Sequence, residues 1–440
     1  LHRSWHYVEN FAASFCALNF IGGVRSIFFL GLLAGGPLAM WSNYLVTLFC
    51  MWVTAAVLAE VCSALPLSGS IYTWAAESAG DRFGGRLARL VGFVVAWWAC
   101  TAWMTFVAGN CQTTANYIIS LMVVYEYDFP GGVDMDNVKF RAFVWIVAEI
   151  FLLFAVALNH LPPHWYSRVF KLSLGVMMLD FFLCVIWLPI GASRSYGLRS
   201  TQDAFMMTYN GTGAPPAWNW ILSFPLASSP LEPSLGLMPP NTSIAIVAAS
   251  RLVYAVARDG VLPLSSWIGR VTPNGQPRNA VWVIYIFGAV ILCTILPSNV
   301  AFTSLVSAGG VPTIAAYGLI GLLRLTMTPG HFQGSKWYLG KWGPPMYLIV
   351  VLYQGLVFAV DISPFFYPVE PKFFNFAPAI FGAVTIFALI SWWVIPESKW
   401  LRRAQIKRAL AGADGAGSTE ETPSGTDHAV DQKHDVKVTE

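Results

Sequence analysis

Long apolar runs separated by short polar or proline-rich joints dominate the chain. Ten of them read as candidate membrane spans: Phe11–Pro37, Ala39–Pro66, Leu90–Tyr125, Phe143–His160, Phe170–Gly191, Thr242–Ala257, Ala280–Leu296, Ala301–Leu323, Met346–Val360 and Phe376–Val394. A helix of about 20 residues crosses the ~30 Å hydrocarbon core. Leu90–Tyr125 is much longer than that, and only Gly109-Asn110 offers a turn within it. It is expected to form one strongly tilted helix that runs past the membrane.

The first run is unusual. Its middle carries Gly22-Gly23 followed by Arg25. Each glycine costs a helix interior about 1 kcal/mol relative to alanine. A guanidinium at that depth should face protein, water or ligand rather than lipid. Two readings fit. In one, Ile21–Ser26 is a break whose freed backbone groups face a polar solute, with Arg25 against Glu60 or the solute's own carboxylate. In the other, the run is a kinked packing helix with Gly31 and Gly35 as its contact face.

Composition agrees with the pattern. Of 440 residues, 56% are hydrophobic and 11% charged, against about 25% charged in soluble domains. The net charge of +3 says less than where the charges lie. Seven cysteines all sit in apolar runs without metal-binding spacing, and read as free thiols packed as small hydrophobes. His160 and His164 flank Leu161-Pro162-Pro163, which reads as a loop rather than a helical metal pair. No Ser/His, acid/His or metal constellation points to an enzyme, and no metal, cofactor or nucleic-acid partner is expected. Lys and Arg gather in alternate joints (Arg82, Arg86 and Arg89; Arg168 and Lys171; Arg258, Arg270 and Arg278; Arg324, Lys336 and Lys341) and beyond Lys399. By the positive-inside rule both termini are cytosolic. The sequon Asn210-Gly211-Thr212 then falls outside, open to glycosylation. A transmembrane domain is expected over 1–403 and a cytosolic tail over 404–440, disordered from Ala409 onwards for want of apolar periodicity. The chain opens on Leu1 rather than Met, so a further cytosolic piece is expected before it.

Two more features carry chemistry. Thr101, Thr105, Gln112 and Asn116 share one helical face of the long run, as a solute-binding stripe or as helix-to-helix glue. At two span ends lie AEVCSALPLSGSIYTW (Ala59–Trp74) and SRLVYAVARDGVLP (Ser250–Pro263). Glu60 and one of Arg251 or Arg258, with Asp259 beside them, are candidates for a gate across the inner mouth. The plainer reading makes Arg258 a membrane anchor and Glu60 a satisfied buried acid.

GGVRSIFFLGLLAGGP, AEVCSALPLSGSIYTWAAESAG and SRLVYAVARDGVLP, in this order, resemble permeases of the amino acid–polyamine–organocation (APC) superfamily. The resemblance extends to about Arg403 and is nearest to the fungal branch with GABA and choline permeases. It implies an all-α polytopic APC/LeuT-like helix bundle of twelve spans, the first ten in two inverted repeats. In that fold the first and sixth helices are broken at mid-membrane and hold the solute. The break maps here onto Gly22, Gly23, Val24, Arg25 and Ser26. The implied activity is secondary active, usually proton-driven, uptake of amino acids or related amines, with the plasma membrane as the expected location. One departure stands out. After Trp218–Phe224, where a sixth helix begins, five prolines follow within Pro225–Pro240, which no membrane helix accommodates. Residues 225–241 are therefore expected to form an extracellular segment in place of a helix pair. About ten spans and an incomplete second repeat remain. Such a chain is not expected to concentrate solute, and a non-transporting sensor, regulatory subunit or splicing product is the alternative.

Overall fold

Backbone groups have no partners in hydrocarbon, so a chain this apolar must close them within helices. The computed structural model describes residues 28–65, 71–80, 85–224, 239–272, 275–297, 299–370 and 374–396. Among the described residues it is helical throughout, with one isolated bridge, Ala34 to Asn210. The chain is thus an all-α polytopic membrane protein. The break at Gly22–Ser26, the segment 225–238 and the tail lie outside the described residues.

Nine of the ten expected spans appear as helices. These are α1 (Gly36–Ala64), α3 (Arg86–Val124), α4 (Val138–Leu158), α5 (Pro163–Phe182) with its continuation, α9 (Pro239–Arg258), α11 (Arg278–Cys293), α12 (Asn299–Thr326), α13 (Gly343–Asp361) and α14 (Ala377–Val394). Short helices α2 (Ile71–Ala79), α6 (Leu188–Ser195), α7 (Thr201–Met206), α8 (Pro216–Ile221) and α10 (Ser265–Ile268) fill the joints. Seven helical stretches among the described residues are long and apolar enough to cross a bilayer, and α11 is apolar but shorter. Two boundaries differ from expectation. Pro239 and Pro240 open α9 instead of closing the irregular segment before it, since the first helical turn needs no proline N–H. Pro163 likewise opens α5, so His164 is helical and the turn after α4 is confined to Asn159–Pro162. Pro189 perturbs the far end of the same span. The helix widens into a π turn at Leu183–Trp187 before resuming as α6, as expected where a proline disturbs the preceding turn.

Helix α3 is the strut of the bundle. It is one unbroken helix of 39 residues, ~58 Å at 1.5 Å per residue, and packs against α2, α4, α9, α11, α12 and α14. At one end of the bundle, residues 28–33 turn into α1 through Gly35 and Gly36, both at positive φ. A Cβ on Gly36 would lie 2.8 Å from Tyr209 N and 2.9 Å from Met207 O, so only glycine fits. The same joint is hydrogen-bonded to the 207–211 backbone, through Gly35 N–H to Tyr209 O (2.9 Å) and Gly211 N–H to Leu33 O (2.9 Å). Beyond it, past the end of α8, Phe224 is buried against Ile314, Tyr353 and Val357.

Thr105 of α3 packs directly on Gly309 of α12, where an added Cβ would overlap the Thr105 hydroxyl and stand 3.6 Å from Ala102 O. Gly309→Val should therefore push α12 off the strut and destabilise the protein by about 1–3 kcal/mol, as overpacking does. Unfolding of the detergent-solubilised protein checks this, and a stability equal to that of the parent would mean the contact is slack.

Candidate functional site

Glu60 sits in the last turns of α1, where the apolar pattern would bury it, and the structure leaves it fully inaccessible. A buried carboxylate needs a cation and hydrogen bonds. It has both. Arg324, near the end of α12 and equally inaccessible, places its guanidinium 3.0 Å from Glu60 Oε2. The Tyr347 hydroxyl of α13 donates to the same oxygen, and the Leu339 N–H donates to Oε1 at 3.1 Å. Arg324 also donates to the carbonyls of Thr328 and His331 and to the Tyr347 hydroxyl. Its guanidinium carbon lies 4.8 Å from the Phe332 ring centre and 5.0 Å from that of Tyr347. Phe332 reaches this position with a left-handed backbone, φ 66°. The cluster ties three helices and the Met327–Leu339 loop into one polar knot.

This corrects the expected pairing. Glu60 meets neither Arg251 nor Arg258, because Arg324 occupies the place opposite it. Arg251 is exposed, and Arg258 bonds its own neighbour, Asp259, at 3.1 Å. The two signature motifs do meet, through other atoms. Tyr72 of α2, fully buried, donates to Asp259 Oδ2 at 2.5 Å. Burial first, and then the Asp259 carboxylate, push the Tyr72 phenol above its ordinary range. It remains a donor at any physiological pH. A third tie, Thr328 Oγ1 to Ser78 O at 2.7 Å, joins the two clusters at the same end of the bundle.

On α3, Thr101, Thr105 and Gln112 are buried, whereas Asn116 is exposed and leaves the proposed stripe. Thr105 spends its hydroxyl on the carbonyls of Thr101 and Ala102. Gln112 stands ~16 Å along the helix from Thr101 at 1.5 Å per residue, so the stripe is a column rather than a cluster. Asn210 is exposed, and its carboxamide closes a turn by donating to Ala214 O at 2.8 Å and accepting from Gly213 N–H. The break residues Gly22, Gly23, Val24, Arg25 and Ser26 lie outside the described residues.

Arg324, Tyr347 and Tyr72 were not singled out from sequence. Arg324 carried a usable signal: it falls inside the run GLIGLLRLT, where a charge needs a partner.

A polytopic helical bundle with buried ion-paired and hydrogen-bonded ties between helices at one end defines a multi-pass membrane protein. Comparison with known proteins makes the class specific. The chain matches the amino acid permease family over residues 8–229 and 241–390, and it belongs to that family. It is 39% identical to the thiamine transporter thi9 of Schizosaccharomyces pombe, covering 91% of this chain and 84% of that one. It is 25% identical to the amino-acid permease BAT1 homolog of Oryza sativa subsp. japonica, over 91% of this chain and 92% of the relative. An uncharacterised amino-acid permease of S. pombe, C1039.01, is 24% identical over 89% of this chain and 81% of its own. The family and these relatives make the chain a membrane transport protein by descent.

Removing one partner of a buried pair is costlier than removing both. Arg324→Met alone should destabilise by about 3–5 kcal/mol, because the Glu60 carboxylate loses its cation. The double variant Glu60→Gln/Arg324→Met should recover most of that loss. A double-mutant cycle on unfolding in detergent measures it, and additive single losses would show that the two residues do not interact.

Proposed function

We propose that this scaffold carries a small amine-bearing solute across the membrane by secondary active, proton-coupled transport. The solute is an amino acid or a related amine such as GABA. The relationship to a thiamine transporter at 39% identity supports widening the class to thiamine itself. The observation that carries the reading is the tie of Glu60, Arg324 and Tyr347, fully enclosed yet built only of side chains and loop backbone. With Tyr72, Asp259 and Arg258 it forms a closure at the end that bears Lys336 and Lys341. On the charge bias this end is cytosolic, both termini lie there, and Asn210 lies outside as a glycosylation site. The solute would be held by Gly22, Gly23, Val24, Arg25 and Ser26 of the first span, facing Thr101, Thr105 and Gln112 of α3. The plasma membrane is the proposed location.

A specific observation favours a second reading for the chain as it stands. The family match is interrupted between residues 229 and 241, and the alignments to the first two relatives run over 504 and 492 positions, longer than the 440-residue chain. These support an absent helix pair after Phe224, and with it half of the solute site. A transporter needs both broken helices to enclose its solute. The 440-residue chain would then be a non-transporting permease, acting as a sensor or regulatory subunit or arising from altered splicing.

Uptake of labelled amino acids, GABA and thiamine in permease-deficient cells separates the two. The 440-residue chain is expected to give no saturable accumulation, and a version with two spans grafted after Phe224 is expected to restore it. Saturable accumulation by the short chain at equal surface level would establish transport without the pair. In the transporting version, Gly23→Leu should abolish uptake while leaving the protein in the membrane, and unchanged uptake would remove the first break from the site. Arg25→Lys should weaken apparent affinity, since lysine keeps the charge but not the two-pronged geometry.

A further inference from the structure

Glu149 lies twelve residues into the 21-residue helix α4 (Val138–Leu158), near the middle of a membrane-crossing element. It is half-buried, at the edge of the face by which Ala148 and Leu152 enter the bundle. Among the described residues no Lys, Arg or His stands within ion-pair distance of its carboxyl. The contrast with Glu60 is sharp, since that carboxylate is met by a guanidinium and two further donors.

Among the described residues, α3, α9 and α11 pack on α4. On its own helix Trp145, one turn earlier, lies against it. Helix α3 presents Cys111, a fully buried thiol, and α9 presents Thr242, also buried. Helix α11 presents Gly288 against Leu152. None of these supplies a cation. A carboxylate at this depth without a cation is unfavourable, because neither lipid nor an apolar bundle solvates the charge. The neutral acid avoids that cost, and a proton is the smallest cation that can supply it.

We propose that Glu149 is a proton-binding site in the middle of the membrane. The carboxylate accepts a proton to become the neutral acid and returns it when that part of α4 meets water or a donor-rich neighbour. Because α4 touches both α3 and α9, a change in its charge bears on the helix that carries Thr101, Thr105 and Gln112. This deepens the proton-coupled reading above, although the measurement itself needs no solute.

Infrared difference spectra of the full chain in lipid nanodiscs, recorded between mildly acidic and mildly alkaline buffer, test the assignment. Acidification is expected to raise a protonated-carboxyl C=O band that is absent from Glu149→Gln and retained in Asp361→Asn, which removes the carboxyl closing α13, the competing source of such a band. If Glu149→Gln does not fold, Glu149→Asp keeps a carboxyl in place and should displace the band. A band that is unchanged in these Glu149 variants, or that disappears in Asp361→Asn, would overturn the proposal. So would a chain with no titrating band of this kind. A chain that proves unable to transport leaves the spectrum, and hence the proposal, standing.

Discussion

The Glu60–Arg324 pair is the contact on which one end of this bundle depends. Neither ion touches solvent, so each relies on the other and on a ring of hydrogen bonds, donated to Glu60 by Tyr347 and Leu339 and accepted from Arg324 by Thr328 and His331. A surface ion pair can loosen gradually, with water replacing one bond at a time. A dry pair cannot, because a half-separated state exposes two charges to a medium that solvates neither. Separating the pair would require water to enter between the helices. The tie therefore favours the fully made pair over any half-separated one.

Tyr72 and Asp259 add a second condition at the same end. Their bond joins α2, which follows α1 in the chain, to the end of α9, while Thr328 links the Arg324 loop back to Ser78 in α2. The ties share elements, so loosening one shifts the anchors of the other. Helix α3 stands behind both as the element that most of the remaining helices touch.

Much of this architecture was legible in the sequence, because apolar run length is a direct consequence of bilayer thickness. Nine of the expected runs appear as helices, seven helical stretches being long and apolar enough to cross a bilayer, and the long α3 is one helix. The side-chain partners were less legible. Arg324 reads like any basic residue at a span end, and the positive-inside pattern treats it as an anchor, so nothing local reveals that Glu60 lies across from it. Asn116 obeys the helical period of Thr101, Thr105 and Gln112, yet burial depends on how far neighbouring helices reach. Toward its end α3 outruns them, and Asn116, Ile118 and Ser120 emerge. Glu149 gives little signal, because it sits singly inside an apolar run, where one acid barely alters the average.

The joint at Gly35 and Gly36 has a practical consequence. It is the covalent link between the first span and α1, and the 207–211 backbone holds it by hydrogen bonds too close for any side chain to intervene. The residues beside it, Met207, Thr208, Tyr209 and Asn210, are exposed. An antibody fragment that gripped this loop would clamp the joint. It would offer a conformational handle on the protein that is independent of what the protein carries.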